Sequence, residues 1–155
     1  MLIMKNISKN ITFDNWIDYK GKEFFKIENT PNKDQIKNGK LIAENIFEQL
    51  VTEFGEIIKI ENGFINFDLG KKISQGLPYY NGDALKISSE KSGEIFNYIK
   101  DNFNFDVLIW MFGSATNPQS IYVSYNSDNR KIILKTSYNK EEKKIEYIDY
   151  EPTAI

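Results

Sequence analysis

At 155 residues the chain is long enough to bury roughly 68–70% of its unfolded surface as one domain, so it requires neither a disulfide nor a metal to fold. Hydrophobic residues make up 41% and aromatic residues 14%, and 20 Lys+Arg against 22 Asp+Glu give a net charge of −2 with a single arginine, Arg130; that balance argues against nucleic-acid binding, which needs a concentrated basic surface. Histidine and cysteine are both absent, which removes Ser-His-Asp and Cys-His machinery, His-containing zinc sites, and the usual general base near neutral pH.

The opening "MLIMKNISKN" has four apolar residues followed at once by polar ones. That is too short for the apolar core of a signal peptide, so none is expected. No run approaches the ~18 apolar residues of a membrane span, and no membrane association is expected. In "NITFDNWID", Thr12 is placed to cap a short helix carrying Phe13, Trp16 and Ile17. In "NKDQIKNGKLIAENIFEQLVTEFG", Ala43, Ile46, Phe47, Leu50, Val51 and Phe54 repeat at helical spacing, and Gly55 stands where a C-terminal cap belongs. "EIIKI" (56–60) reads as a strand, 61–82 as a loop-rich stretch, and "ALKIS" as a short strand. "SGEIFNYIKDNF" carries Ile95, Phe96, Ile99 and Phe103 on one helical face. "FDVLIWMF" (105–112) is a nearly continuous apolar run, the pattern of a strand buried on both faces. "IYVSY", "KIILKTSY" and "KIEYIDY" are three further strands, which the turns "NSDNR" and "NKEEK" are expected to join as antiparallel neighbours. No repeat or linker divides residues 1–155, so the expectation is one α+β domain with a mixed or antiparallel sheet and packed helices.

Several segments then line up with a known family. "ISKNITFDNWID" followed by "IENTP", then "IENGFIN", "YYNGDALKI", "FDVLIWMFG" and "IYVSYNSDNRKIILK" occur in that order between Ile7 and Lys135. Together they resemble the zinc D-Ala-D-Ala carboxypeptidases and phage endolysin peptidases, which cleave peptidoglycan stem peptides; residues 136–155 lie beyond the resemblance. The positions that resemble the family's frame are Gly63, Gly82, Ala84, Ile87, Phe105, Asp106, Leu108, Ile109, Trp110, Val123, Ser124, Tyr125, Asn129 and Arg130.

The family's chemistry does not carry over. Its first zinc-binding histidine falls on Tyr79, its zinc-binding aspartate on Lys86 and its second histidine on Tyr122. The acidic residue of the buried strand falls on Met111, and the arginine that serves substrate and transition state falls on Ile65. A catalytic zinc needs about three ligands from His, Asp, Glu or Cys and an open position for water. Two phenols, an ammonium and a thioether do not supply that set, and an ammonium a few ångströms from a divalent cation repels it. What the resemblance implies is thus a pseudoenzyme, needing no cofactor or metal, that serves as a structural or protein-interaction module, with a bacteriophage virion or tail component as its natural setting and the virion or cytoplasm as its location.

Two alternatives stay open. The vacated cleft, with Tyr79, Tyr80, Lys86 and Tyr122 as candidate binding residues, would hold a cell-wall peptide without cutting it, although Ile65 offers nothing to a substrate carboxylate. Lys86, flanked by Tyr79 and Tyr122, would run metal-free amine chemistry, unless these side chains only fill a redundant cavity, with a cation–π contact. Glu56, Glu61, Asp68 and Asp83 read as solvated loop charges, and "KEEKK" (140–144) as a solvated turn. The tyrosines of the second half suit either protein–protein contact or cover for the sheet, and the terminal "PTAI" either adds to a partner's sheet edge or is a disordered end.

Overall fold

The structure, a computed structural model, describes residues 5–152; the terminal "PTAI", for which sheet-edge docking and a disordered end are both open readings of the sequence, lies outside them except for Pro152. A small antiparallel pair, β1 (Asn6–Ser8) and β2 (Ile11–Thr12), opens the described chain. Helix α1 (Phe13–Ile17) follows, its first turn closed by the Thr12 hydroxyl accepting from the Asn15 amide at 3.1 Å. The predicted long helix forms as α2 (Lys33–Ile42), a π-helical turn (Ala43–Phe47) and α3 (Glu48–Phe54). Asn32 and Gln35 make a reciprocal capping box at its start. Gly55, at φ +82°, ends it by donating to the Val51 carbonyl. Ala43, Ile46, Phe47 and Leu50 are buried as expected, while Val51 and Phe54 are half-buried.

The remaining elements are β3 (Lys59–Asn62), α4 (Phe67–Ile73), β4 (Ala84–Ser88), α5 (Ser92–Asn102), β5 (Val107–Met111), β6 (Ser120–Ser124), β7 (Ile132–Asn139) and β8 (Lys144–Asp149). Strands β3 to β8 form one mixed sheet in the order β3-β4-β6-β5-β7-β8, in which only β5 and β7 run parallel. The chain is thus a mixed α+β fold with helices packed on its sheet. Among the described residues no helix is long and apolar enough to cross a membrane.

Three expectations need correction. The strand read at 56–60 begins only at Lys59, because its partner β4 ends at Ser88, opposite Lys59, and leaves 56–58 nothing to pair with. The stretch 61–82 contains α4, a seven-residue helix capped by Asn66, with one buried side chain, Leu69; so short a helix leaves almost no periodic signal. Third, β6 and β7 are not neighbours. Both edges of β6 are taken by β4 and β5, and the backbone amides of Lys131 and Ile132 bond to the carbonyls of Phe105 and Asp106, which starts β7 beside β5. The β7–β8 hairpin forms as predicted, with its 140–144 turn exposed.

Alternation along the strands splits the core in two. Leu85, Ile87, Leu108, Trp110, Ile121 and Val123 face α2, α3 and α5 in the larger cluster. Ala84, Ile109, Met111 and Tyr122 face the other way, under Ile65, Leu69, Leu77, Tyr79 and Tyr19. Trp16 ties the N-terminal segment to the first layer: it is fully buried, packs against Phe64 with the rings tilted and their centroids 5.5 Å apart, and its carbonyl accepts from the Phe64 amide at 2.7 Å. Two glycines make room for it. A Cβ at Gly63 would press on the Trp16 backbone, and one at Gly39 would enter the indole ring, with Cε2 at 2.8 Å.

Gly39→Ala sets two effects against each other. Helix propensity favours alanine by about 1 kcal/mol, but overpacking a ring that is buried on all sides costs about 1–3 kcal/mol, and the backbone held to Phe64 leaves the ring little room to retreat. The expected net result is destabilisation by about 1–2 kcal/mol, read as a lower urea midpoint with an unchanged slope.

Candidate functional site

The residues that fall on the catalytic positions of the resemblance come from four separate segments, and the fold gathers them. Ile65 follows β3, Tyr79 precedes β4, Met111 ends β5 and Tyr122 is the middle of β6; all belong to the smaller core cluster and none is more than 2% exposed. The rings of Tyr79 and Tyr122 meet edge to face at 5.3 Å, a favourable arrangement for aromatic pairs. The Tyr122 hydroxyl donates to the Pro78 carbonyl at 2.7 Å. Two further tyrosines bond the same way to the covering segments: Tyr147 to the Gln75 carbonyl at 2.8 Å, and Tyr19 to the carbonyls of Phe25 and Ile27 at 3.1 and 3.2 Å. Burial pushes the Tyr79 and Tyr122 phenols far above their ordinary range, with the Asn62 side chain partly opposing this at Tyr79.

Lys86 sits beside this pair. It is in register with Tyr122 on β6 and with Asn62 on β3, so the three side chains share one face of the sheet. It is half-buried, and desolvation draws its ammonium below the usual lysine value, opposed by the nearby Glu61 carboxylate and aided by Lys20. The cation–π contact found among the described residues is that of Lys71 over Phe67, at 4.6 Å; Lys86 makes none there. Tyr80 shares one flanking cavity with Tyr79 and another with Tyr122, but it is the most exposed of the candidate binding residues. It is 39% exposed and packs edge to face on Phe67 at 5.5 Å.

The acidic residues behave less uniformly than the sequence suggests. Glu56 and Asp68 are exposed. Glu61 instead lies on β3, accepts from the Ser88 hydroxyl at 2.7 Å, and has its carboxyl lowered chiefly by that bond. Asp83 is half-buried just before β4, and burial raises its carboxyl. It lines a cleft of about 300 Å³ on the Tyr122 side of the sheet, together with Asp106, Ser124, Asn126, Arg130 and Tyr147. No spacing in the sequence announces that Asp83 and Asp106 share a cleft, because it is the pairing of β6 with both β4 and β5 that brings them together. A group of three or more metal-ligating Asp, Glu, His or Cys side chains does not occur among the described residues.

The Asp106–Arg130 pair organises the far end of that cleft. Nε and Nη2 of Arg130 donate to the two carboxylate oxygens at 2.8 Å each, and the Arg130 amide donates to Oδ1 at 3.1 Å. This bidentate fork lowers the Asp106 carboxyl to about 2. A second polar hub, missed in the sequence, is Asn29 of the "IENTP" turn. Its amide nitrogen donates to the carbonyls of Ile17 and Phe64 at 2.9 and 2.8 Å, and its oxygen accepts from the Asn66 amide at 2.8 Å. It thereby positions the segment that carries Ile65 over the sheet. An asparagine two residues before a proline reads as a turn residue, so nothing marked it as buried.

No family model matches this chain, and neither do the curated proteins or the solved structures.

The folded carboxyl of Asp106, at about 2, lies below the ~3.9 of an unfolded aspartate. Its stabilisation is therefore fully present above about pH 4 and is lost as pH falls through about 2. Asp106→Asn is expected to lower the melting temperature by several degrees at pH 7, with the gap to wild type closing between about pH 4 and pH 2. Thermal melts of both proteins across that range read it directly.

Proposed function

We propose that the chain is a non-catalytic relative of the zinc D-Ala-D-Ala carboxypeptidases and endolysin peptidases, in which the former metal site has become part of the core and the fold acts as a structural or protein-interaction module. The observation that carries this reading is the convergence of Tyr79, Met111, Tyr122 and Ile65 in one buried cluster, with Lys86 alongside. Residues scattered over nearly sixty positions of sequence that correspond to one site are expected to meet in space, and these do. A phenol binds a metal ion well only as phenolate, and burial drives both phenols away from ionisation. Without a bound metal, no water with a pKa lowered to about 7 is available as nucleophile.

The same side chains support a filled site over a working one. Tyr122 spends its hydroxyl on the Pro78 carbonyl, and the two cavities flanking the cluster are lined by Tyr79 in one case and Tyr122 in the other but in neither by Lys86. An amine that borders neither of these cavities has no enclosed space in them to receive a carbonyl substrate, so this arrangement favours cover over metal-free catalysis at Lys86. Exposed apolar side chains such as Tyr138 and Ile148 on the β7–β8 hairpin, 57% and 39% accessible, offer contact area of the kind protein partners use. A place in a phage virion or tail follows from the resemblance by analogy.

Reintroducing the ligands tests the reading. The triple variant Tyr79→His, Lys86→Asp, Tyr122→His is expected to bind one zinc ion per chain by calorimetry where wild type binds none at that site. A folded triple variant with no zinc affinity would show that these positions never formed a metal site. The assembly reading is tested separately, by size fractionation of material from the native source with peptide mass spectrometry on each fraction. The expected result is migration with megadalton particles; recovery only at about its own 18.1 kDa would overturn it.

A further inference from the structure

A second cavity, of about 290 Å³, lies between α4 and the 74–80 loop, on the outer side of the covering segment. Ile65, Leu77 and Pro78 line it, Phe67 and Tyr80 stand there with rings edge to face, and Lys71 adds an ammonium. Ser74 is part of its lining as well. Its side chain is buried, with the residue only 6% exposed, and its hydroxyl has no hydrogen-bond partner. Buried polar atoms are nearly always satisfied, so an orphan calls for a reason. The other orphan among the described residues, the Trp16 indole nitrogen, is sealed in the main core; the Ser74 residue borders open space.

Gly70 keeps that space open. It lies inside α4, where glycine is the poorest residue apart from proline, and its backbone is not in the left-handed region that would require it. A Cβ there would stand 3.1 Å from the Ser74 hydroxyl oxygen, with the next nearest atoms, Ser74 Cβ and Ile65 Cγ2, at 3.9 and 4.0 Å. Gly70 and Ser74 both line the cavity, so no side chain at position 70 stands between it and the unpaired hydroxyl. Lys71 is 62% exposed, held only by a 3.8 Å contact with Asp68 and by the Phe67 ring face. Surface ion pairs of this kind are weak, which leaves the ammonium available to an anion.

We propose that this cavity binds a small aryl carboxylate that carries a hydrogen-bonding group at the end opposite its carboxylate. The far group enters the space beside Gly70 and bonds to Ser74, the ring lies against Ile65, Leu77 and Pro78 near the Phe67–Tyr80 pair, and the carboxylate meets Lys71. The volume, at the small end of ligand sites, fits a ligand with one ring. The proposal is independent of the peptidase reading and stands if that reading fails.

The test is an amide NMR titration of the full chain with para-hydroxyphenylpropionate, alongside phenylpropionate, which lacks the hydroxyl, and tyramine, which replaces the carboxylate with an amine. Saturable shifts confined to residues around 65–80 are expected with the first. Phenylpropionate is expected to bind roughly three- to tenfold more weakly, the worth of one hydrogen bond, and tyramine more weakly still. Gly70→Ala, which fills the floor, is expected to abolish the shifts while retaining the wild-type melting temperature. Ser74→Ala is expected to make the two carboxylates bind alike, and it carries the test on its own if Gly70→Ala fails to fold. Absence of shifts in that segment, or equal binding of the hydroxylated acid by wild type and Ser74→Ala, would overturn the proposal.

Discussion

A sheet whose central strands are apolar on both faces has to be covered twice, and the rest of this structure follows from that requirement. The strands β4, β6 and β5 place Leu85, Ile87, Val123, Leu108 and Trp110 on one side and Ala84, Tyr122, Ile109 and Met111 on the other. Leaving either set in water would forfeit about 25 cal/mol for each Å² of apolar surface. Helices α2, α3 and α5 close the first face. The second is closed by 65–79 and by Tyr19, with no long helix involved, and this is the face on which the candidate site lies.

The thinness of that second cover explains why tyrosine is so prominent in it. A covering loop exposes backbone carbonyls to a dry interior, where each unpaired one is costly. Tyrosine supplies ring area and a donor at its tip: Tyr19 and Tyr122 each place that donor on a partly buried loop carbonyl, and Tyr147 does the same at the exposed rim. Asn29 does the same with an amide. Each phenol raised by burial stays neutral, the state in which it donates such a bond. The chemistry that makes these residues good cover is the chemistry that makes them poor metal ligands.

Polar anchoring is concentrated where the chain changes direction. The Asp106–Arg130 fork joins the start of β5 to the turn before β7, beside Asn129 and Lys131 at φ +37° and +57°. Non-glycine residues in that region are strained, and the fork with the Lys131 and Ile132 amide bonds to Phe105 and Asp106 holds them in place. This is what carries β7 past β6 to lie parallel to β5.

The sequence by itself determined the elements with strong local signals. The long helix with its Gly55 stop, the Thr12 cap, the helix on Ile95, Phe96 and Ile99, the doubly buried β5 and the β7–β8 hairpin were all legible, because apolar periodicity and capping chemistry act over a few residues. So was the absence of histidine and cysteine. Helix α4 was not legible, since seven residues with one buried side chain leave no period to read. The position of β7 was not either, since strand adjacency depends on which edges are already occupied. Of the candidate positions, the sequence supplied Ile65, Tyr79, Lys86, Met111 and Tyr122 as residue types, but only the tertiary structure decided that four of them share one dry cluster while Tyr80 faces outward, and that Asp83 and Asp106 line a common cleft. The hydroxyl of Ser74 belongs to the same class: a serine in sequence is ordinary, and it becomes an unsatisfied donor only once the fold has buried it without a partner.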